Sequence, residues 1–376
     1  MDTPLGTAPQ RNAGKAVGAG TVHGRPRLIA HADWSIDPGK RWLAPAVRQS
    51  DGVYRVRAPA PVGTLADLLP RLAQDAGDGR VLLGVDFPIG LPEAYAALAG
   101  VDDFVAELPR FGTGRWARFY DVATMPEEIS WTRPFYPPRP GGRRRQHLVN
   151  GLGVSCYEAL LRQCERRTGG RPQACSLFWT LGGNQVGKGA IAGWCGLLGP
   201  ALRAGLPLAI WPFGGRLEEL LALHAWVVAE TYPREVYDHL GLDLRGGGKR
   251  SQPVRARNAE RLLATASALD LDLDPALRTA ILTGFGARAD GEDRFDAVVG
   301  LLGLLGVVCG ARALWEPDEP IVRSVEGWII GQAGPGLQRP VGAQPGMNLA
   351  NLRQIRDGDD AHRFRPAPGR LARKVP

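Results

Sequence analysis

The sequence predicts an α/β protein in which three strands come first and helices then alternate with further strands. Two observations favour this class: several short apolar runs end in an acidic residue, and segments with helical spacing separate the later runs. The longer apolar runs that we interpret as strands lie at 27–35, 80–92, 207–213 and 224–233.

The N-terminal part predicts a hairpin and then a helix. After the first strand, "RWLAPAVRQ" and "VYRVRAPA" are separated by Ser50-Asp51-Gly52. Asp-Gly between two alternating runs favours a tight turn, so we expect these runs to pair as a hairpin. The segment 64–76 has helical spacing, and Thr64 can cap its N-terminus.

The second half predicts helices that follow the strands at 207–213 and 224–233. Residues 254–270 and 275–284 have helical patterns. The segment from Asp293 to about Arg312 is apolar nearly all round, which predicts a buried helix.

The predicted core is interrupted by a long insertion, whose first half is rich in Pro and Gly. The two ends of the chain lack periodicity, which is typical of segments without a packed core. In chain order we expect a disordered tail at 1–24, a first core part at 25–92, the insertion at 93–204, a second core part at 205–331 and a flexible tail at 332–376.

The composition is that of a globular protein, with 44% hydrophobic and 22% charged residues among 376. The net charge of +8 is compatible with a polyanionic partner such as nucleic acid. Five cysteines without a C-x-x-C pair argue against a disulfide framework and a zinc site, which favours a cytoplasmic location. The longest apolar run, 297–309, is too short to cross a bilayer, so we expect no membrane partner.

One segment matches most of a nucleotide-binding P-loop, because residues 182–188 read G-x-x-x-x-G-K. Gly189 stands where a P-loop has the Ser or Thr that holds magnesium. We therefore interpret the segment as a turn in which Asn184, Gln185 and Lys188 contact a substrate phosphate. A tight turn with a surface lysine is the simpler alternative.

Acidic residues at the ends of core elements form a second pattern. Asp33, Asp86 and Glu230 each end an apolar strand, and Asp293 and Asp296 open the last helix on one face. A carboxylate beside apolar residues is costly unless it is paired or binds a cation. Oxygen ligands alone favour Mg²⁺ or Mn²⁺, so we predict a metal site formed by Asp33, Asp86, Glu230 and Asp296. Each acid also has an ordinary alternative role, such as a turn, a helix cap or an ion pair.

The order of these elements resembles the RNase H-like superfamily. More narrowly, it resembles a bacterial and archaeal family of uncharacterised proteins predicted to be RNase H-like nucleases. The matching stretches span residues 31–329 and are "HADWS", "GVDFPIGLP", "FWTLGGNQVGKGAI", "AETYPREVY", "DRFDAVVGLL" and "EGWI".

The resemblance implies a mixed five-stranded sheet, with three antiparallel strands first and helices on both sides. It implies catalytic acids on the first strand, on a later strand and on the last helix, which would be Asp33, either Asp86 or Glu230, and Asp296. Asp293 would then take the histidine position of the H-x-x-D-A pattern found in junction resolvases, as a ligand or a base.

We therefore expect a metal-dependent nuclease that hydrolyses phosphodiester bonds with carboxylate-bound Mg²⁺ or Mn²⁺. A basic cluster after the strand that ends at Glu230 would contact phosphates; it consists of Lys249, Arg250, Arg255 and Arg257. Two alternatives stay open at this point. The first alternative is a nucleic-acid-binding module of the same fold without catalysis. The second is a nucleotide-binding phosphotransferase or NTPase that uses Lys188.

Overall fold

A mixed eight-stranded sheet lies between two layers of helices. The computed structural model describes residues 24–168, 171–181 and 186–334. Within these ranges the strands are β1 (Leu28–Asp33), β2 (Trp42–Arg48), β3 (Tyr54–Val56), β4 (Ala60–Pro61), β5 (Val81–Val85), β6 (Leu208–Trp211), β7 (Trp226–Glu230) and β8 (Asp272–Leu273).

The helices agree with the sequence pattern where that pattern was long. The predicted helix at 64–76 is present, and the Thr64 hydroxyl caps it by accepting from the Asp67 amide. The α-helices of the described ranges are α1 (Leu65–Ala76), α2 (Glu93–Ala99), α3 (Phe104–Glu107), α4 (Arg145–Leu152), α5 (Val186–Gly193), α6 (Gly199–Arg203), α7 (Leu217–Leu223), α8 (Pro233–His239), α9 (Gln252–Arg257), α10 (Ala259–Ala268), α11 (Pro275–Leu282) and α12 (Gly291–Val308).

The strand order is β6-β7-β5-β1-β2-β3-β8, and β4 also pairs with β2. The pairs β1–β2 and β2–β3 are antiparallel, whereas the pairs β1–β5, β5–β7, β7–β6 and β3–β8 are parallel. The expected α/β class is confirmed, but the expectation of five strands is wrong. The extra strands lie at or near the sheet edges, and β4 and β8 are too short to leave a periodic pattern in the sequence.

Side chains alternate between the two faces of the sheet, and this alternation sorts the strand-end residues. Along β1, Ala30 and Ala32 belong to the hydrophobic core on one face. His31 and Asp33 therefore point to the opposite face, where α12 packs. β5 is in parallel register with β1, with Val85 opposite Ala32.

The segment predicted as an insertion covers one face of the sheet. Phe104 and Trp194 of this segment pack in the same core as Leu83 and Val85 of β5. Their rings also contact each other edge to face, with centroids 5.0 Å apart. The segment therefore supplies one of the two helical layers.

The other layer contains the buried helix α12, which lies unusually close to the sheet. A Cβ atom on Gly300 would come within 2.2 Å of the His31 ring, and one on Gly303 within 2.6 Å of Val236. The contacts are possible because both residues lack a side chain. The predicted helix from Asp293 to about Arg312 is thus present, and its glycines face its neighbours.

The ends of the chain are described only in part. Nearly all of the predicted tails, 1–24 and 332–376, lies outside the described residues. Gln332 is buried, and its amide donates to the Cys164 carbonyl and to Glu235. Within the described ranges, none of the helices combines the length and the apolar character that crossing a bilayer requires.

Candidate functional site

Two of the predicted acids meet where β1 and β5 end side by side. Asp33 is the last residue of β1, and Asp86 follows the last residue of β5. Because the strands are parallel and adjacent, their carboxyl ends lie at the same edge. The Asp86 carboxylate accepts a hydrogen bond of 2.6 Å from the amide of Trp34, which fixes it against the β1 end.

A third acid comes from the second turn of α12. Asp296 is 2% exposed, and it faces the end of β1 across the narrow gap between helix and sheet. Its Oδ1 accepts from the hydroxyl of Tyr237 on α8, and its Oδ2 from the ammonium of Lys249. Asp33, Asp86 and Asp296 together are called the carboxylate pocket below.

The charges of the carboxylate pocket are only partly balanced. Burial, and then the charges of Asp86 and Asp296, raise the pKa of Asp33 well above its usual value. Burial also raises the pKa of Asp86 to about 7 and raises that of Asp296, although Lys249 opposes both shifts. Lys249 is the one basic side chain in hydrogen-bond contact with these acids in the described part of the chain. With all three carboxyls ionised, the pocket would carry excess negative charge, which a bound proton or a cation can compensate.

Asp293 lies at the rim of the pocket, one helical turn before Asp296. It is half-buried, and burial together with Glu292 raises its pKa to about 6. Lys40 and Lys249 act in the opposite direction. The carboxylate can therefore exchange a proton near neutral pH, while its neighbour Asp296 is fully enclosed.

The structure does not bring Glu230 into this pocket, which corrects its prediction as a metal ligand. Glu230 pairs in register with Val85, so its side chain points to the face opposite Asp33. There it accepts two bonds of 2.7 Å from the Arg162 guanidinium and one from the Ile89 amide. The strand position next to it, Thr231, is the one on the α12 side.

Arg162 organises a second, wholly buried charge cluster on that opposite face. Its side chain is 0% exposed and also donates to Glu165 and to the carbonyls of Ile89 and Glu326. Burial raises the pKa of Glu165 to about 7. This buried cluster connects the inserted segment to β7, which indicates a structural role.

The predicted basic cluster divides into two kinds of residue. Arg250 is 82% exposed, and its nearest carboxylate is Glu292 at 3.8 Å. Arg255 is buried and donates to the carbonyls of Lys249, Gly284 and Gly286, so its prediction as a phosphate contact is wrong. Arg257 is half exposed. Its guanidinium forms an ion pair with Asp243 and donates a hydrogen bond to the Arg245 carbonyl.

The P-loop-like segment lies partly outside the described residues, which leaves out Asn184 and Gln185. Lys188 is half-buried on α5. A Cβ on the next residue, Gly189, would lie 3.6 Å from Phe87, the residue after Asp86. Residues 171–181 contain isolated bridges where a P-loop has a buried strand, which argues against that geometry.

Two groups beside the pocket were not predicted from the sequence. Tyr237 binds Asp296 from the first turns of α8, and only its place in the "ETYPREVY" block hinted at a role. His31 is fully buried beneath Asp33, and its Nε2 lies 2.8 Å from the Thr231 hydroxyl. Burial lowers the pKa of His31 to about 4, so the ring is neutral at physiological pH.

The donor set of the pocket suits a hard divalent cation, because it consists of carboxylate oxygens. As the side chains stand, no group of three or more His, Cys, Asp or Glu residues able to hold a metal occurs in 24–168, 171–181 and 186–334. Both oxygens of Asp296 are already hydrogen-bonded. Comparisons with protein-family models, curated proteins and solved structures gave no match to this chain.

Replacing Asp86 by Asn is expected to change how stability depends on pH. A folded-state pKa of about 7, against 3.8 for an ordinary aspartate, means that the folded protein binds this proton more tightly. The wild type should therefore lose stability relative to Asp86→Asn as pH rises from about 4 to about 7. Urea unfolding in EDTA, followed by tryptophan fluorescence at several pH values, measures this difference.

Taking the difference between the wild type and Asp86→Asn cancels the contributions of the other titrating groups to the pH dependence. His31, with its lowered pKa, makes the wild type more stable as pH rises between about 4 and 6.5, but it does so in both proteins. The exposed acid Asp121, which pairs with Arg118, supplies a matched control as Asp121→Asn. Parallel stability curves for wild type and Asp86→Asn would contradict the expectation.

Proposed function

We propose that the chain is a metal-dependent hydrolase of phosphodiester bonds in nucleic acid, built on an RNase H-like fold. The observation that carries the proposal is the convergence of Asp33, Asp86 and Asp296 from two neighbouring strands and the facing helix. These three side chains come from widely separated parts of the chain, and Lys249 balances their charges only in part.

The sheet supports the RNase H-like part of the proposal. Its central five strands run β3-β2-β1-β5-β7, with three antiparallel strands first and two parallel strands after them. This is the arrangement that the sequence resemblance implies, and β4, β6 and β8 are additions to it. The acids on the first strand, the next parallel strand and the last long helix are then Asp33, Asp86 and Asp296.

The carboxylate pocket would hold Mg²⁺ or Mn²⁺ through these three side chains. Three carboxylates against one ammonium leave two negative charges when all groups are ionised, which a divalent cation would neutralise. When bound there, the ion would supply an activated water and stabilisation of the leaving oxygen. Asp86 is already oriented by the Trp34 amide, whereas Asp296 must first exchange its present partners.

Residues at the rim of the pocket would assist the reaction and bind the substrate. Asp293 is half-buried with a pKa of about 6, and it would accept a proton from the attacking water. Arg250 is exposed beside the pocket and would neutralise a backbone phosphate. Lys188 is half-buried on α5, beside Gly189, which packs near Phe87, and it would contact a phosphate farther along the strand.

A cleavage assay tests the proposal directly. Labelled single-stranded DNA, duplex DNA, RNA and an RNA–DNA hybrid are each incubated with the protein in Mn²⁺, Mg²⁺ or EDTA. We expect cleavage of at least one substrate in Mn²⁺ and none in EDTA. Asp33→Asn and Asp86→Asn should remove the activity, while Asp121→Asn, an exposed acid paired with Arg118, should retain it.

The assay also separates the proposal from its nearest rival. Binding of nucleic acid without cleavage of any substrate in either metal would support a catalytically silent binding module of the same fold. Equal cleavage by wild type and Asp33→Asn would locate the activity outside the carboxylate pocket. Either result would contradict the proposed function.

A further inference from the structure

The Lys249 side chain reaches the carboxylate pocket from a loop of unusual backbone geometry. Gly246, Gly247 and Gly248 precede it with φ angles of +81°, +131° and +64°. Residues with a side chain rarely adopt these backbone φ angles, whereas glycine adopts them without strain. The loop doubles back at this point and delivers the Lys249 ammonium to Oδ2 of Asp296.

The backbone after Lys249 is held firmly by a buried arginine. Arg255 donates to the Lys249 carbonyl at 2.5 Å and to the carbonyls of Gly284 and Gly286 at 2.8 and 2.7 Å. The main chain of Lys249 is thus anchored, but its side chain remains 40% exposed. The ammonium can therefore leave the pocket by rotation of the side chain, without movement of the backbone.

The contacts of Asp296 leave a divalent cation no unengaged oxygen on that carboxylate. Tyr237 occupies Oδ1 and Lys249 occupies Oδ2. A divalent cation and an ammonium repel each other strongly at the distance of a shared carboxylate. The phenol of Tyr237 is neutral and can stay, so Lys249 is the partner that must give way.

We propose that Lys249 is a tethered counter-ion, which competes with the divalent cation for Asp296 and leaves the pocket when the metal binds. The inference rests on the proposed metal site and adds a step to it. The released ammonium stays at the rim, near Asp293 and Arg250, where it neutralises a substrate phosphate. Metal and phosphate then favour each other's binding, because each stabilises the released position of Lys249.

The test measures Mn²⁺ binding, independently of catalysis. Isothermal titration at pH 8 compares the wild type with Lys249→Met, which keeps the length of the side chain and removes its charge. We expect Lys249→Met to bind Mn²⁺ about tenfold more tightly, since no ammonium has to be displaced. In EDTA its melting temperature should fall, and Mn²⁺ should raise that temperature by more than in the wild type.

Two further variants serve as controls. Arg55→Met removes a positive charge from the exposed ion pair with Asp272, outside the carboxylate pocket, so its Mn²⁺ affinity should stay close to that of the wild type. Lys249→Arg keeps a cation at the position and should show no gain in affinity. If Lys249→Met does not fold, Lys249→Gln provides the same comparison with a neutral polar side chain.

The possible results distinguish this inference from the function on which it rests. Unchanged or weaker Mn²⁺ affinity in the neutral variants, with metal-dependent cleavage intact in the wild type, would overturn the competition alone. The absence of Mn²⁺ binding in the wild type and in every variant would overturn both proposals. Tighter binding confined to the neutral variants at position 249 would support the tethered counter-ion.

Discussion

Asp33→Asn is expected to abolish metal-dependent cleavage while making the metal-free protein more stable. The substitution removes a negatively charged oxygen ligand, and the loss of a metal ligand of this kind reduces the cleavage rate by roughly 10³-fold. It also removes one of the charges that repel each other in the carboxylate pocket, where burial, Asp86 and Asp296 all raise the Asp33 pKa. Under the proposed function the two effects have opposite signs, because the charge that would bind the metal is repelled by its neighbours in the metal-free protein.

The two readouts are needed together. Cleavage is measured with the best substrate in Mn²⁺, and the free energy of unfolding in urea at pH 8 with EDTA. A variant that merely misfolds loses both activity and stability, whereas loss of a functional carboxylate lowers only the activity. A less stable Asp33→Asn protein at pH 8 would show that the carboxylate stabilises the fold, and it would contradict the expectation.

Arg162→Met is expected to destabilise the protein by about 3–5 kcal/mol, the usual cost of removing one partner of a buried ion pair. Arg162 is 0% exposed and donates to two glutamates and two carbonyls. Without it, Glu230 and Glu165 remain enclosed and unpaired. Urea unfolding of the purified variant measures the effect, and poor expression would agree with it.

A double variant distinguishes lost pairing from lost volume. Arg162→Met combined with Glu230→Gln leaves one fewer uncompensated charge, so it should recover part of the lost stability. The exposed pair of Arg55 and Asp272 offers a matched control, because Arg55→Met should cost no more than about 1 kcal/mol. A loss below about 1 kcal/mol in Arg162→Met would contradict the buried-pair argument.

Much of the fold was predictable because its elements are long or strongly patterned. The hairpin around Ser50-Asp51-Gly52, the capped helix at 64–76 and the buried last helix all appear where the sequence predicts them. The full strand count was not predictable, since β4 and β8 have two residues each and form only through their neighbours. The packing of the insertion on the sheet also depends on contacts between distant segments.

The sequence predicted which acids lie at strand ends, but it did not predict the face of the sheet to which each side chain points. Asp33, Asp86 and Glu230 all end apolar strands, yet only the first two face α12. Because a strand alternates with period two, a shift of one residue places an acid on the other side of the sheet. The register of β7 against β5, which no local pattern shows, decides that Thr231 faces α12 and Glu230 does not.

The basic residues show the same limit in another form. Composition identified Lys249, Arg250, Arg255 and Arg257 as one positive cluster. Only the folded backbone separates a buried arginine that holds carbonyls from an exposed one and from a lysine in the pocket. Likewise, the partner of Glu230 is Arg162, which comes from the inserted segment 68 positions earlier in the chain.

The glycines of α12 determine how closely this helix packs against the sheet. A helix with alanine at position 300 would have to lie farther from β1, since a Cβ there would come within 2.2 Å of the His31 ring. Asp296 would then be drawn back from Asp33 with it. The separation of Asp296 from Asp33, and with it the strength of their electrostatic interaction, is thus set partly by steric packing one helical turn away.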